Sequence, residues 1–556
     1  MTQTRTFLLI AWMMVAVLLW MEWNKEQLPA LASQAAPASV GAAPLASGVP
    51  TATVAGAATT QPAMAPTPQA VRSPSVQLRN DVLALELDGR SITRAQLLKY
   101  PQEREAGSPP VVLLDPAAAT HFEARSSWST PEGAELVFQP ESPARTSILA
   151  DGADAVSTSF VANNAGGVQL RRTYTLKRGS YAIGVRDELV NAGSAPWSGL
   201  VQRQILRNPP PPVGGFTDPE AFSLSGAAWY SPQDKYEKRK YPDFVEDGPL
   251  DADAPAGKEV LGGWLALSQH YFLAAWVPQK DQGALYSLGA DGVTHRVEAR
   301  GPQVTLAPGQ RFSSDATLWV GPKLAEQLDA TAPGLGLALD YGMFTVLSKP
   351  IHWLLTQLHK LTANWGWAIV LLVVLIKLAL YPLSAAQYRS MAKMRKFQPR
   401  IEQLKERYGD DKQKFQMAML ELYKKEKINP AGGCLPILIQ MPVFLALYYV
   451  LLEAVELRQA PWIMGWINDL TAQDPYYILP VLNGAIMWLT QKMVPMVGMD
   501  PMQKKMMQMM PLVMAVMFAF FPAGLVLYWV TNGALGMLQQ WWNTKRYNEE
   551  APAAKA

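Results

Sequence analysis

The sequence predicts a polytopic α-helical membrane protein of about six spans, with a large antiparallel β-sandwich domain outside the cytoplasm and a helical hairpin on the cytoplasmic side. Three observations predict it. Residues 364–383, NWGWAIVLLVVLIKLALYPL, are an apolar run, and about 20 such residues at 1.5 Å rise cross the roughly 30 Å hydrocarbon layer. Apolar residues gather at both ends of the 556-residue chain, around a long polar middle. A strongly basic stretch separates two of the apolar runs, and basic loops mark the cytoplasmic face.

Composition narrows the class. Net charge is +3, from 49 basic and 46 acidic residues, so no global basic field argues for nucleic acid. The single cysteine, Cys434, excludes an intrachain disulfide and any multi-cysteine metal site. No cofactor is expected.

Residues 1–27 hold the run FLLIAWMMVAVLLWMEW after Arg5. It is long for the core of a signal peptide, and Glu22, Lys25 and Glu26 separate it from the small-residue pattern at Ala30 and Ala32. It is therefore read as a transmembrane anchor, with a cleaved signal as the alternative. Residues 28–75 are Ala, Pro, Thr, Ser and Gly with almost no charge; such a segment buries too little to offset its ordering entropy and is read as a disordered tether.

Residues 76–327 alternate in VLALEL, VQLRRTYTL and YAIGVRDELV, with Gly, Asn and Pro between the runs, which predicts strands of an antiparallel sandwich. The breaks at 208–212 (NPPPP) and 235–240 (KYEKRK) are read as surface loops. His121, His270 and His295 have no ligand spacing, and no carboxylate pair stands out.

Residues 343–361 place Leu347, Ile351, Leu354, Leu355, Leu358 and Leu361 on one helical face, an amphipathic helix lying on the membrane or packed on the β domain. The span 364–383 follows. Residues 384–430 are basic and rich in helix formers, broken at Gly409-Asp410-Asp411, and are read as the two-helix hairpin. Its charges, Arg389, Lys393, Arg395, Lys396 and Arg400 among them, form a solvated face first and a contact for anionic lipid or ribosomal RNA second. Hydropathy then gives spans at 434–452, 476–492, 506–521 and 522–541, the last two divided at Pro522, and a tail at 542–556. Loop charges agree with six crossings and both termini cytoplasmic.

One cation interrupts the apolar pattern. Lys377 stands about six residues from the cytoplasmic end of its span, and a cation at the centre of a span costs roughly 2.5–3.5 kcal/mol. It either snorkels to the interface or faces a hydrated recess. Gln440 lies at a similar depth in the next span, and Tyr528, Thr531 and Asn532 near the middle of the last. Polar residues at one level suggest such a recess, or interhelical hydrogen bonds that only glue the bundle. No span core holds Asp or Glu, and there is no P-loop, GxSxG or HExxH, so neither ion coupling, ATP use nor catalysis is supported.

The stretches YPLSAAQYRSMAKMRKFQPRIEQLKERYGDDKQ, NPAGGCLPILIQMPVFLALYYVL, DPMQKKMMQMMP and FPAGLVLYWVTN resemble the YidC/Oxa1/Alb3 membrane protein insertases in their Gram-negative YidC form, and GWLALSQHYFLAAWVP resembles the periplasmic domain of that form. The resemblance implies an inner-membrane insertase and chaperone, not an enzyme, with the β domain periplasmic. Such proteins take hydrophobic nascent segments from the cytoplasm into a hydrophilic groove and release them to lipid, alone or with the Sec translocon. Lys377 falls where many members have Arg, and lacks the guanidinium's two-point fork. The resemblance places the groove's positive charge at Lys377; the groove residues expected with it are Gln440 and Asn532 at the polar level, and Val373, Tyr528 and Trp529 along the path to lipid. Nascent membrane proteins, Sec components, ribosome or targeting factors and lipids are the implied partners, the hairpin meeting the ribosome or targeting factors and the periplasmic domain meeting Sec. A small-solute channel and an envelope-assembly protein remain the alternatives.

Overall fold

The computed structural model describes residues 74–105, 107–129, 136–164, 166–211, 223–250, 256–408, 411–426, 431–493 and 501–550. The anchor at 1–27, nearly all of the tether, the Gly409-Asp410 turn and the end of the tail lie outside them.

Two sheets face each other. In spatial order the eleven-stranded sheet runs Lys258–Leu261, Gly283–Asp291, Thr294–Arg300, Trp197–Arg207, Phe122–Ser129, Ser91–Pro101, Leu83–Leu87, Val76–Arg79 and Thr146–Ile148, with two short strands off this path. The nine-stranded sheet runs Lys235–Lys240, Gly226–Ser231, Trp264–Ser268, Phe272–Pro278, Arg311–Pro322, Ala182–Asn191, Val168–Lys177, Ala155–Asn163 and Phe138–Pro140. Ladders are antiparallel as expected, except that Val76–Arg79 pairs in parallel with Thr146–Ile148. Strict burial alternation in Trp197–Arg207 shows why period-two patterning sends every second residue to the core.

The sheets are also bolted by charge. The Arg172 guanidinium meets the Asp187 carboxylate at 2.6 and 2.7 Å, and Trp128 Nε1 from the opposite sheet donates to Asp187 at 2.7 Å, all without solvent exposure of the ion pair. Burial alone would raise the Asp187 carboxyl, but the Arg172 charge and its hydrogen bonds more than offset this and hold it below the usual carboxylate range.

Two sequence expectations fail in this domain. Residues 235–240 are not a loop but the edge strand Lys235–Lys240, paired with Gly226–Ser231; lysines on an edge discourage further pairing, and their charge hid the strand. The domain also does not stop at 327. Leu328, Leu335, Ala338 and Leu339 are buried in the same core, and Gly334, at φ 75°, lies against the Tyr230 ring, where a Cβ would stand 2.7 Å away.

Among the described residues the helical part contains α1 (Thr345–Thr362), α2 (Trp365–Ala379), α3 (Tyr381–Lys396), α4 (Gln398–Tyr408), α5 (Lys412–Lys425), α6 (Ala431–Glu453), α7 (Ile478–Met493), α8 (Pro501–Phe518) and α9 (Ala523–Glu550). The predicted span 364–383 is cut short. The helix ends at Ala379 and the chain bends by 68° into α3, with Pro382 in the first turn of α3, where a proline fits without losing a helical bond. No single described helix has both the length and the apolarity of a span; this bent pair does so together.

The hairpin also differs from expectation. Its first arm is split at Phe397 into α3 and α4, because Pro399 cannot sit inside a continuous helix. The arms α4 and α5 share a small core of Ile401 and Tyr423, and Asp411 caps α5 through Gln413 N and Lys414 N at 3.1 and 3.0 Å. At the end of the chain α9 runs on through 542–550, so the segment read as a tail begins as helix.

On α1 the buried stripe is Ser348, His352, Leu355 and Leu358, which turns Val346, Trp353 and Leu361 outward at 85, 61 and 77% exposure. Exposed apolar side chains continue on α7 and α8, at Val481, Trp488, Leu512, Val513 and Val516. Such an apolar exterior suits lipid rather than water.

Candidate functional site

Three helices build one recess, each with a short stripe at helical spacing. Helix α2 gives Val373, Ile376 and Lys377; α6 gives Gln440, Val443, Phe444 and Leu447; α9 gives Tyr528 and Asn532. Helix α2 is set in place by Asn364, whose side chain accepts from Trp367 N at 3.1 Å and donates to Trp462 O at 3.0 Å.

Lys377 occupies the last turn of α2, where the unpaired carbonyls of a helix C-terminus favour a cation by roughly 0.3–1 kcal/mol. It is 7% exposed, and no carboxylate pairs with it among the described residues. Beyond the polar level the wall becomes dry. Leu447, Val450, Leu451 and Leu452 on α6 are all buried, as are Leu470, Phe521 and Leu525. The recess is therefore polar at Lys377, Gln440 and Asn532 and apolar towards the β domain.

Five of the six groove residues named from the sequence, Val373, Lys377, Gln440, Tyr528 and Asn532, come together here. Trp529 does not line the recess. Its ring packs on Phe518 at 4.1 Å, Phe521 at 5.8 Å and Phe444 at 5.9 Å, behind the wall. Thr531 donates to Leu527 O at 2.8 Å, back into its own helix. Ile376, Val443, Phe444 and Leu447 were missed, although steps of three and four from Val373 and Gln440 reach them.

The basic residues do not form one hairpin face. Arg389 and Arg395 are exposed on α3, the helix that also carries Lys393 and Lys396. Arg400 belongs to α4 and pairs with Glu426 at 2.8 Å. No cluster of three or more His, Cys, Asp or Glu among the described residues could hold a metal.

The sequence also did not reveal that the outer end of α6 is fixed to the β domain. Glu453 accepts from Ser223 Oγ at 2.6 Å and meets Lys323 Nζ at 3.3 Å. His270 Nε2 lies 2.9 Å from Leu452 O, and Arg458 donates to Pro101 O and Gln102 O at 2.7 and 2.8 Å. Nearby, burial pushes the Glu456 carboxyl up, and His352 at 3.8 Å offsets this only in part.

Residues 75–354 match the family described as YidC periplasmic domain, and residues 357–550 match the family described as 60Kd inner membrane protein. The membrane protein insertase YidC of Xanthomonas campestris pv. campestris (strain 8004) is 52% identical over 571 residues, covering 99% of this chain and 98% of that one. That of Stenotrophomonas maltophilia (strain R551-3) is 52% identical over 574 residues, covering 100% and 99%. A solved structure described as an active YidC insertase with its first transmembrane domain resolved is 19% identical and covers 84% of this chain and 94% of that one, with a TM-score of 0.36. Matched along nearly its whole length at this identity, the chain belongs to the YidC family of membrane protein insertases.

Proposed function

We infer that the protein is an inner-membrane insertase and folding chaperone that takes hydrophobic segments of nascent membrane proteins through the recess at Lys377. The carrying observation is a buried ammonium with no counter-ion among the described residues, set beside Gln440 and Asn532 inside an apolar bundle. A short polar flank of the substrate enters this polar pocket, so less of it has to cross hydrocarbon. Its apolar segment moves past Val373 and Tyr528 into lipid, at roughly 25 cal/mol per Å² of apolar surface removed from water. The dry wall from Leu447 to Leu452 makes sideways release easier than passage straight through.

No covalent step is required, so the protein acts without catalysis or a cofactor. Lys377 works as a hydrated point charge rather than a two-point fork. In this reading the chain crosses the membrane six times with both termini cytoplasmic, and the bent pair α2 and α3 brings the basic residues of α3 to the cytoplasmic face. Helix α1 lies in the outer interface, Val346, Trp353 and Leu361 towards lipid. Helices α4 and α5 reach into the cytoplasm, where ribosome or targeting factors meet them, and the β domain faces the periplasm and the Sec translocon.

The test places a photo-crosslinking amino acid at Gln440 in the full-length protein and follows ribosome-bound chains of a small membrane protein. Crosslinks should appear only once the apolar segment has emerged, and weaken in Lys377→Glu. No crosslink at Gln440 while the same probe at the outward-facing Val481 reports lipid normally would refute the reading.

A further inference from the structure

Gly536 on α9 has no backbone reason to be glycine. It lies inside a regular helix, where glycine costs roughly 0.5–1 kcal/mol relative to alanine. Nor does packing demand it. At Gly533, one turn earlier, a Cβ would meet Ile486 Cγ2 at 3.1 Å, so close helix contact accounts for that glycine. At Gly536 a Cβ would find only two neighbours, both polar and both at ordinary contact distance: the Tyr388 hydroxyl at 3.5 Å and Lys377 Nζ at 3.6 Å.

The setting gives the gap a use. Tyr528, Asn532, Gly536, Gln539 and Asn543 recur at steps of four, four, three and four, one face of α9. Lys377 has three donors and is buried, with no ion pair among the described residues, and such a group needs acceptors or water. Gln539 Nε2 reaches Lys377 O at 3.4 Å while its Oε1 is buried without a partner. Further along, Asn543 accepts from Tyr381 at 3.4 Å. The polar stripe is thus continuous except at 536, where a missing side chain leaves room beside the ammonium.

We propose that Gly536 is a positioning residue that keeps Lys377 in water, by holding open a gap between α2, α3 and α9 that joins the recess to the polar stripe at Gln539 and Asn543. The size of residue 536 sets how freely water and polar substrate flanks reach the recess. This rests on the recess being the receiving site, and its test needs no substrate.

The experiment labels Asn532→Cys, in a Cys434→Ser background, with a charged membrane-impermeant thiol reagent added to membrane vesicles exposing the Asn543 end. Full-length proteins with Gly, Ala, Val or Leu at position 536 are compared. Ala should label within about twofold of Gly, and Val and Leu about tenfold or more slower, since the thiolate must meet the reagent in water. Tyr388→Ala widens the same gap from α3 and should speed labelling about threefold in the Gly536 protein; it decides the matter if Gly536→Leu fails to accumulate. Equal rates across the series, no change in Tyr388→Ala, or no labelling with Gly536 in place would each overturn the proposal. Size-dependent labelling together with absent nascent-chain crosslinks at Gln440 would instead retire the insertion reading and leave the water path standing.

Discussion

Replacing Lys323 with Met tests whether the β domain holds the recess wall in register. Lys323 and Glu453 meet at 3.3 Å with side chains 0 and 2% exposed, and among the described residues Glu453 keeps only Ser223 when the lysine is gone. Removing one partner of such a pair leaves a buried charge and costs roughly 3–5 kcal/mol, whereas replacing both by apolar groups is neutral or better. At roughly 2–4 °C per kcal/mol for a domain of 150–250 residues, Lys323→Met should lower the unfolding midpoint by about 10 °C. Lys323→Met with Glu453→Leu should recover most of that loss. Thermal unfolding of the full-length protein in detergent, run as a double-mutant cycle, gives the coupling directly. The reasoning is refuted if the single variant unfolds within about 1 kcal/mol of the parent, or if the double variant is as unstable as the single. Because α6 also carries Gln440, about 20 Å along the helix from Glu453, crosslinking at Gln440 should weaken in Lys323→Met and return in the double variant.

Three further outcomes are expected. Lys377→Arg should support insertion close to the parent, while Lys377→Leu should lower it about tenfold, measured as protease-protected substrate in vesicles. The Asp187 carboxyl is held low in the fold, so the stability it gives is present above the ordinary carboxylate range, about pH 4, and is lost as pH falls through its lower folded value; denaturant melts from pH 7 to 3 should show this loss, and Asp187→Asn should remove it while lowering stability at pH 7. Ile401, 1% exposed in the small core of α4 and α5, should on replacement by Ala cost that pair roughly 2–4 kcal/mol, read as faster hydrogen exchange in residues 398–425 with the β domain unchanged.

What could be read in advance was what depends on local pattern. Period-two alternation marked Leu83–Leu87, Val168–Lys177 and Ala182–Asn191, because each is half buried. The strand Lys235–Lys240 escaped because an edge strand needs no apolar face. Counting residues from a helix end placed Lys377 and Gln440 at one depth, yet counting alone could not say which side of α9 faces them, and so Trp529 was assigned to the lining instead of to the aromatic cluster behind it. The 68° bend after α2 was signalled by Pro382, which hydropathy ignores. A window average sees an apolar run; the backbone sees a residue that cannot donate.

Glu453 shows the deeper limit. In sequence it is a carboxylate at the end of an apolar run, the position of an ordinary interfacial charge. Its partners Lys323 and Ser223 lie 130 and 230 residues away, and no local pattern links them. This contact fixes the far end of α6, the helix that also lines the recess. The α6 face that is polar at Gln440 is apolar by Leu447 and ends on a carboxylate clamped into the β domain. In the proposed function, a substrate flank drawn towards Lys377 meets buried leucines before it meets the periplasm, and the lower-energy course for its apolar segment is out between the helices into lipid. On that reading the pocket is one-sided, and one-sidedness is what separates an insertion site from a pore.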